Sequence, residues 1–348
     1  MIGVFSPRQL EHSPAREMHN GGWIAHAETP ARAEAIVAAL PLLLPPRDFG
    51  LAPIARVHAA EYLDFLREAH ALWRAAGREG DALPYVWPVV GRRPLTLSRI
   101  DALLGRFSFD AATPIATGTW DAAYWGAQTA LTALAPLLDG TARTSFALCR
   151  PPGHHAGADY FGGYCYLNNA AIAAQAARDA GHSRVTMLDL DYHHGNGSQD
   201  IFLDDPSVFY VSIHADPATD YPFYWGHADE TGDGAGRGAT LNLPLPRGTG
   251  RAPYLAALDV ALTAVARFDP GVIVVSFGAD TFAGDPISGF VLATADYPKV
   301  AARVTALGVP TLIVMEGGYA TAELGANVAA FLAGFGGDAD ACPPLRTA

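Results

Sequence analysis

At 348 residues, half of them hydrophobic and 17% charged, the chain is long enough to bury a sizeable core in one large α/β domain or two modest ones. Its net charge of −12, from 23 basic against 35 acidic residues, disfavours a nucleic-acid partner, which needs a basic surface, and is compatible with a small cationic substrate. Cysteine is scarce (Cys149, Cys165 and Cys342, with no Cys-x-x-Cys pair), so neither a disulfide framework nor a thiolate zinc site is supported, and a reducing cytoplasmic setting is the default.

In chain order, Met1–Gln9 has no basic stretch followed by an apolar one, so no signal peptide is expected, and Ile2–Phe5 reads as a strand. No apolar run approaches the ~20 residues that span a bilayer, so no membrane partner is expected. Helical patterns cover Ala31–Leu40 and Ala59–Ala75. Tyr85–Ile115 is loop-rich, with prolines at 88, 94 and 114, and a long insert of this kind is more often functional or an interface than idle. A helix over Asp121–Leu138 is followed by a strand at Ser145–Cys149 and a helix at Ala170–Ala180. Strands at Val185–Leu188 and Val208–Ile213, a helix at Pro253–Phe268, a strand at Val272–Phe277, a helix at Tyr297–Leu307, a strand at Thr311–Met315 and a helix at Glu323–Leu332 complete the series. Alternation of helices with strands that are apolar throughout predicts a parallel sheet covered on both faces. The simplest organisation is a single domain over residues 1–348.

Four of these strands run into polar loops. Ser145–Cys149 leads into Arg150-Pro151-Pro152-Gly153-His154-His155, and Val185–Leu188 into Asp189-Leu190-Asp191-Tyr192-His193-His194-Gly195. Val272–Phe277 leads into Gly278-Ala279-Asp280, and Thr311–Met315 into Glu316-Gly317-Gly318-Tyr319. In a parallel sheet all four loops share the carboxyl edge, where open α/β folds place ligands. Asp191 and His193 lie two residues apart, on one face of an extended segment, and Asp280 can add a third ligand from another strand. Two carboxylates and one imidazole suit a Zn²⁺ that keeps an open position for water.

These stretches, together with Phe161–Asn169, resemble the zinc-dependent histone deacetylase superfamily. Within it, Phe161–Asn169, Asn196 and Glu316–Tyr319 look most like the bacterial acetylpolyamine amidohydrolases. The resemblance implies an arginase-like α/β fold with a parallel eight-stranded sheet. It implies Zn²⁺ ligation by Asp191, His193 and Asp280, and water activation by His155. His154 would be an electrostatic partner oriented by Asp189, and Tyr319 an oxyanion donor. The Gly163 carbonyl would accept the substrate amide N–H, Tyr164 and Tyr224 would line an aromatic channel, and Ile287 would sit near its mouth. It further implies a structural K⁺ held by Asp189, Ser212 and the backbone carbonyls of Asp191, His193 and Ile213, with a second K⁺ near Phe202, Asp205 and Val208. A homodimer built on the 85–115 insert would follow.

Two departures stand out. Asn196 partners His155 where many histone deacetylases have Asp, and a neutral partner should leave the imidazole less basic. Of the acids that would meet a distal ammonium, one position is Asp101; the other aligns near Ala112, with Asp110 two residues away. A bridged two-metal ureohydrolase would need a carboxylate where Gly195 stands. The expected reaction is therefore deacetylation of acetylated polyamines or short diamines, the alternative being an acetyl-lysine deacetylase with the same chemistry.

Overall fold

The runs Val185–Asp189, Val272–Phe277 and Thr311–Met315 are buried at every residue, which a strand tolerates only when both faces of its sheet are covered. The computed structural model describes residues 1–89 and 96–336; Pro94 of the insert and Cys342 lie outside them. In chain order the elements begin with β1 (Ile2–Val4), β2 (Arg16–His19), β3 (Gly22–Ala25), α1 (Pro30–Ala39), α2 (Ala60–Ala75), α3 (Ile100–Phe107) and α4 (Thr119–Leu138). They continue with β4 (Thr144–Ala147), α5 (Asn169–Asp179), β5 (Val185–Asp189), α6 (Asn196–Ile201), β6 (Val208–Ala215) and β7 (Thr240–Leu245). The last are α7 (Arg251–Phe268), β8 (Val272–Phe277), α8 (Tyr297–Thr305), β9 (Thr311–Met315) and α9 (Thr321–Ala333).

Seven strands form one parallel sheet in the order β1-β4-β9-β8-β5-β6-β7. Side chains alternate between its faces. Val185, Met187, Val274 and Val314 meet α2, α4 and α5, whereas Leu188, Val275, Ile313 and Met315 meet α1, α7, α8 and α9. The register places Asp189 beside both Ser212 and Ser276, and Phe277 beside Met315. The loops that follow β5, β8 and β9 therefore leave one edge together, and β4, in register with β9, adds the fourth.

The strand count differs from the eight that the resemblance implied: among the described residues the sheet has seven. Beyond β1, the pairing seen among the described residues is a single parallel bridge from Leu44 to Val4. Prolines at 41, 45 and 46 surround that residue and have no N–H to extend a ladder. β7 escapes the apolar-run criterion because it is a half-exposed edge strand reading Thr-Leu-Asn-Leu-Pro-Leu, and an edge tolerates Pro244. Four further elements were not anticipated: β2, β3, α3 and the short α6. β2 and β3 pair as an antiparallel hairpin through Asn20 (φ 48) and Gly21 (φ 78), the positive pair that a type I′ turn needs. Within the insert, α3 folds as a short amphipathic helix that buries Ile100, Leu104 and Phe107. Among the described residues no helix is long and apolar enough to cross a membrane.

Candidate active site

Asp191 and Asp280 meet across β5 and β8. The Nδ1 of His193 lies 3.1 Å from Asp280 Oδ2 and 3.4 Å from Asp191 Oδ1, and one ligand atom from each of the three residues falls within 4.8 Å of the others. The second oxygen of each carboxylate is held by backbone. Gly317 N donates to Asp191 Oδ2 at 2.8 Å, and Tyr192 N donates to Asp280 Oδ1 at 3.0 Å. Two buried carboxylates face one imidazole here, and burial and Asp191 push the Asp280 carboxyl up to about 7. A cation between them removes that repulsion, and an O, O, N donor set suits a Zn²⁺-type ion. The residues present therefore fit the metal.

Beside them stand His154 and His155, with ring centroids 4.1 Å apart. Their loop is pinned by Glu316 Oε2, which accepts from Gly153 N at 2.6 Å and His154 N at 3.2 Å. The two imidazoles are pushed in opposite directions. Burial opposes the charge on His154, yet Asp189 (Oδ2 at 3.0 Å from Nδ1) and Asp191 raise its pKa to about 10. Burial, with His154 and His193 alongside, holds His155 well below the usual histidine range; its Nδ1 lies 2.7 Å from Asn196 Oδ1, whose small raising effect does not offset this. The surroundings thus favour the charged form of His154 and the neutral form of His155.

Tyr319 reaches the same edge on the loop after β9. Its backbone N–H donates to Asp285 Oδ2 at 2.6 Å, and its ring lies 4.7 Å from the Arg32 guanidinium and 5.6 Å from the Tyr164 ring. Burial holds the phenol well above its ordinary pKa, so the hydroxyl stays a donor. Arg32 itself is buried and donates to the carbonyls of Gly318 and Glu316, each at 2.6 Å. Gly163 presses against His155. At φ 56, a Cβ there would stand 2.2 Å from the imidazole, so only glycine fits. Ile287 is half-buried on the loop that Asp285 anchors, its N–H donating to Asp285 Oδ1 at 3.1 Å.

Three expectations need correction. Tyr224 does not line the channel; it is 82% exposed, beyond the chain reversal at Pro222 and Phe223. Tyr221 takes that place, its ring centroid 5.2 Å from His155 and 6.1 Å from His193. Its hydroxyl is tethered to Asp110 Oδ2 at 2.8 Å. Asp110 is thereby committed to scaffolding, since the same oxygen accepts from Gly163 N at 2.7 Å. Asp101 is not free for an ammonium either: it is paired with both Arg78 and Arg99. Tyr164 does face the site, its hydroxyl donating to the buried Glu17 Oε1 at 2.9 Å. Asp189 and Ser212, which the resemblance assigned to a cation, are cross-strand neighbours; Ser212 Oγ lies 2.8 Å from His214 Nδ1.

Behind Tyr164 a second polar cluster is buried. His12 Nε2, His26 Nε2 and Glu28 Oε2 converge, and none has a hydrogen-bond partner among the described residues. This donor set could also ligate a metal, but Arg32 (2.7 Å) and Arg150 (2.9 Å) both hold Glu28 Oε1, and their two positive charges oppose a further cation. Glu17, Glu28, Arg32, Tyr221 and Asp285 were not found by sequence reasoning. Arg32 and Gly318 are 286 residues apart, and no local pattern marks such a contact.

A histone deacetylase domain model matches residues 26–335, most of the chain, including the three candidate metal ligands, His154, His155 and Tyr319. The chain belongs to the histone deacetylase family. This family member is 46% identical to acetylpolyamine amidohydrolase 1 of Pseudomonas aeruginosa, over 97% of its own length and all of the relative's. It is 43% identical to acetylpolyamine amidohydrolase of Mycoplana ramosa, over 96% and 99%. Its fold matches the crystal structure of acetylpolyamine aminohydrolase from Burkholderia pseudomallei with a TM-score of 0.92 and 43% identity, covering 97% and 98% of the two chains.

Proposed function

We propose that this deacetylase-family chain, a single domain over residues 1–348, removes acetyl groups from acetylated polyamines or short diamines. The observation that carries the reading is the meeting of three metal donors, a neutral His155 and the Tyr319 loop at one sheet edge, in a chain aligned nearly end to end with named amidohydrolases. Asp191, His193 and Asp280 would hold one Zn²⁺, which would polarise the amide carbonyl and acidify the attacking water. His155 takes the proton from that water as its oxygen bonds to the acyl carbon, then delivers it to the amine nitrogen as the C–N bond breaks, leaving acetic acid and the free amine, which exchange a proton to acetate and ammonium. His154, kept cationic by Asp189, stabilises negative charge near the site without exchanging its proton. The Tyr319 hydroxyl donates to the developing oxyanion, and the Gly163 carbonyl receives the substrate N–H.

A thin methylene chain suits the aromatic walls formed by Tyr164 and Tyr221, and the net charge of −12 favours a cationic tail. Trp23, Ile24, Tyr85, Val86, Trp87 and Val89 are all exposed on the hairpin and the insert, a set of apolar side chains that a second copy of the chain would cover in a homodimer. A structural K⁺ at Asp189, Ser212 and the carbonyls of Asp191, His193 and Ile213 would use the pairing of β5 with β6. A cytoplasmic setting fits the buried free thiols Cys149 and Cys165. The deciding experiment is steady-state hydrolysis of a short N-acetyl diamine, a longer acetylpolyamine and an acetyl-lysine peptide by zinc-loaded protein. The amines should lead in kcat/KM by about tenfold or more. A reversed order transfers the site to acetyl-lysine, and no turnover of any of the three removes the amidohydrolase reading.

A further inference from the structure

His155 can accept a proton only if its own proton sits on Nδ1 and its lone pair on Nε2. Asn196 alone does not guarantee this. A carboxylate accepts from Nδ1 with either oxygen, but an amide accepts at Oδ1 and donates at Nδ2, and its two ends have nearly the same shape. Turned over, Asn196 would present Nδ2 to Nδ1 and drive the imidazole proton to the other nitrogen.

The surrounding hydrogen bonds fix which end faces the ring. Tyr160 Oη donates its single hydrogen to Asp200 Oδ2 at 2.7 Å. That leaves Oη only able to accept from Asn196 Nδ2, 3.3 Å away. Asp200 stands four residues beyond Asn196 on α6; burial raises its pKa, and the Tyr160 hydrogen bond opposes that rise. The Tyr160 ring is held in place by Phe109 and Trp225, with centroids at 5.6 and 6.5 Å. Gly157 leaves it room, since a Cβ there would come within 2.3 Å of the ring.

We propose that Tyr160, backed by Asp200, is a positioning residue that orients the Asn196 amide and so keeps the His155 proton on Nδ1. The inference rests on the reading of His155 as the base. Its test compares wild type, Tyr160→Phe, Asn196→Asp and the double variant, each checked for metal content and melting temperature. Tyr160→Phe should lower kcat about tenfold, the bias of one hydrogen bond, with KM within about twofold. In the Asn196→Asp background the same change should cost less than about twofold, because a carboxylate has no wrong end. Nitrogen-15 spectra of histidine-labelled, zinc-loaded protein give a second readout. The His155 signal, identified by its loss in His155→Ala, should report a protonated Nδ1 in wild type and a tautomer mixture in Tyr160→Phe. Equal kinetic losses in both backgrounds, or an unchanged tautomer in Tyr160→Phe, would overturn the positioning role. Wild-type turnover in His155→Ala would instead remove the base assignment, and with it the kinetic half of the proposal.

Discussion

The sheet edge and the entrance satisfy their charged and aromatic groups in different ways. At the edge, Asp191 and Asp280 each give one oxygen to a backbone N–H and turn the other toward His193, while Asp189 and Asn196 each hold one imidazole. On the hairpin, the insert and the loop around Pro222, where the entrance is proposed, Asp101 is neutralised by Arg78 and Arg99, and Trp23, Tyr85 and Tyr224 stand in water. The edge is finished within one chain, since its polar atoms are aimed by the fold. The entrance is arranged by ion pairs on Asp101 and by apolar side chains left exposed among the described residues. Chemistry should therefore depend steeply on the edge, and substrate preference on contacts worth far less.

The largest effect should come from Asp280→Ala. It removes one of two carboxylates from the donor set and should lower kcat/KM by at least ~10³-fold, with metal lost in parallel. Metal analysis on the folded variant checks this, and stoichiometric metal with wild-type turnover would break the contrast at its strongest point.

A smaller effect tests the support beneath the edge. Asn168 caps α5, holds the Ala156 carbonyl at 3.0 Å through Nδ2, and donates its own N–H to the buried His58 Nε2 at 2.9 Å. Burial lowers the His58 pKa from 6.5 to about 4. Between those values the unfolded chain binds a proton that the folded chain refuses, so stability falls as pH drops from about 6.5 to 4, by about 3 kcal/mol for this one group. Denaturant titrations across that window should show the slope, and His58→Gln should flatten it. An unchanged slope in the variant would place the acid sensitivity elsewhere.

The smallest effect belongs to the entrance. With its charge already matched by two arginines, Asp101→Asn should change kcat/KM for a short acetyl diamine by less than about twofold. A tenfold loss would mean that substrate reaches this acid after all, and would erase the distinction between the two regions.

The same contrast explains what could be read from residues alone. The four strand-to-loop junctions were legible because each pairs an apolar run with a polar group a few residues later. Asp191, His193 and Asp280 were found that way, and they do converge. The entrance offered no such local rule. Whether Tyr221, Phe223 or Tyr224 turns inward depends on the reversal around Pro222 and on a tether to Asp110, a residue 111 positions away. Asp101 looked available because its partners, Arg78 and Arg99, belong to segments whose packing no spacing reveals. The hairpin did carry a signal, since Asn20-Gly21 marks a tight turn, but β2 and β3 are short and poorly buried and lack the apolar alternation that identifies strands. β7 was hidden for the same reason, being half-exposed and interrupted by Pro244.

The position of β9 carries a consequence for how this chain becomes active. It is the last strand made, yet it lies between β4 and β8. Until it inserts, the sheet consists of two separate sections, β1-β4 and β8-β5-β6-β7. The second section already contains Asp191, His193 and Asp280, whereas the His154-His155 pair follows the first. Insertion of β9 joins the two and brings Tyr319 and the Gly317 N–H with it. Such long-range closure is the slow kind of folding step. Without β9 the three donor residues and the histidine pair belong to unconnected sections, so hydrolysis needs the final strand in place.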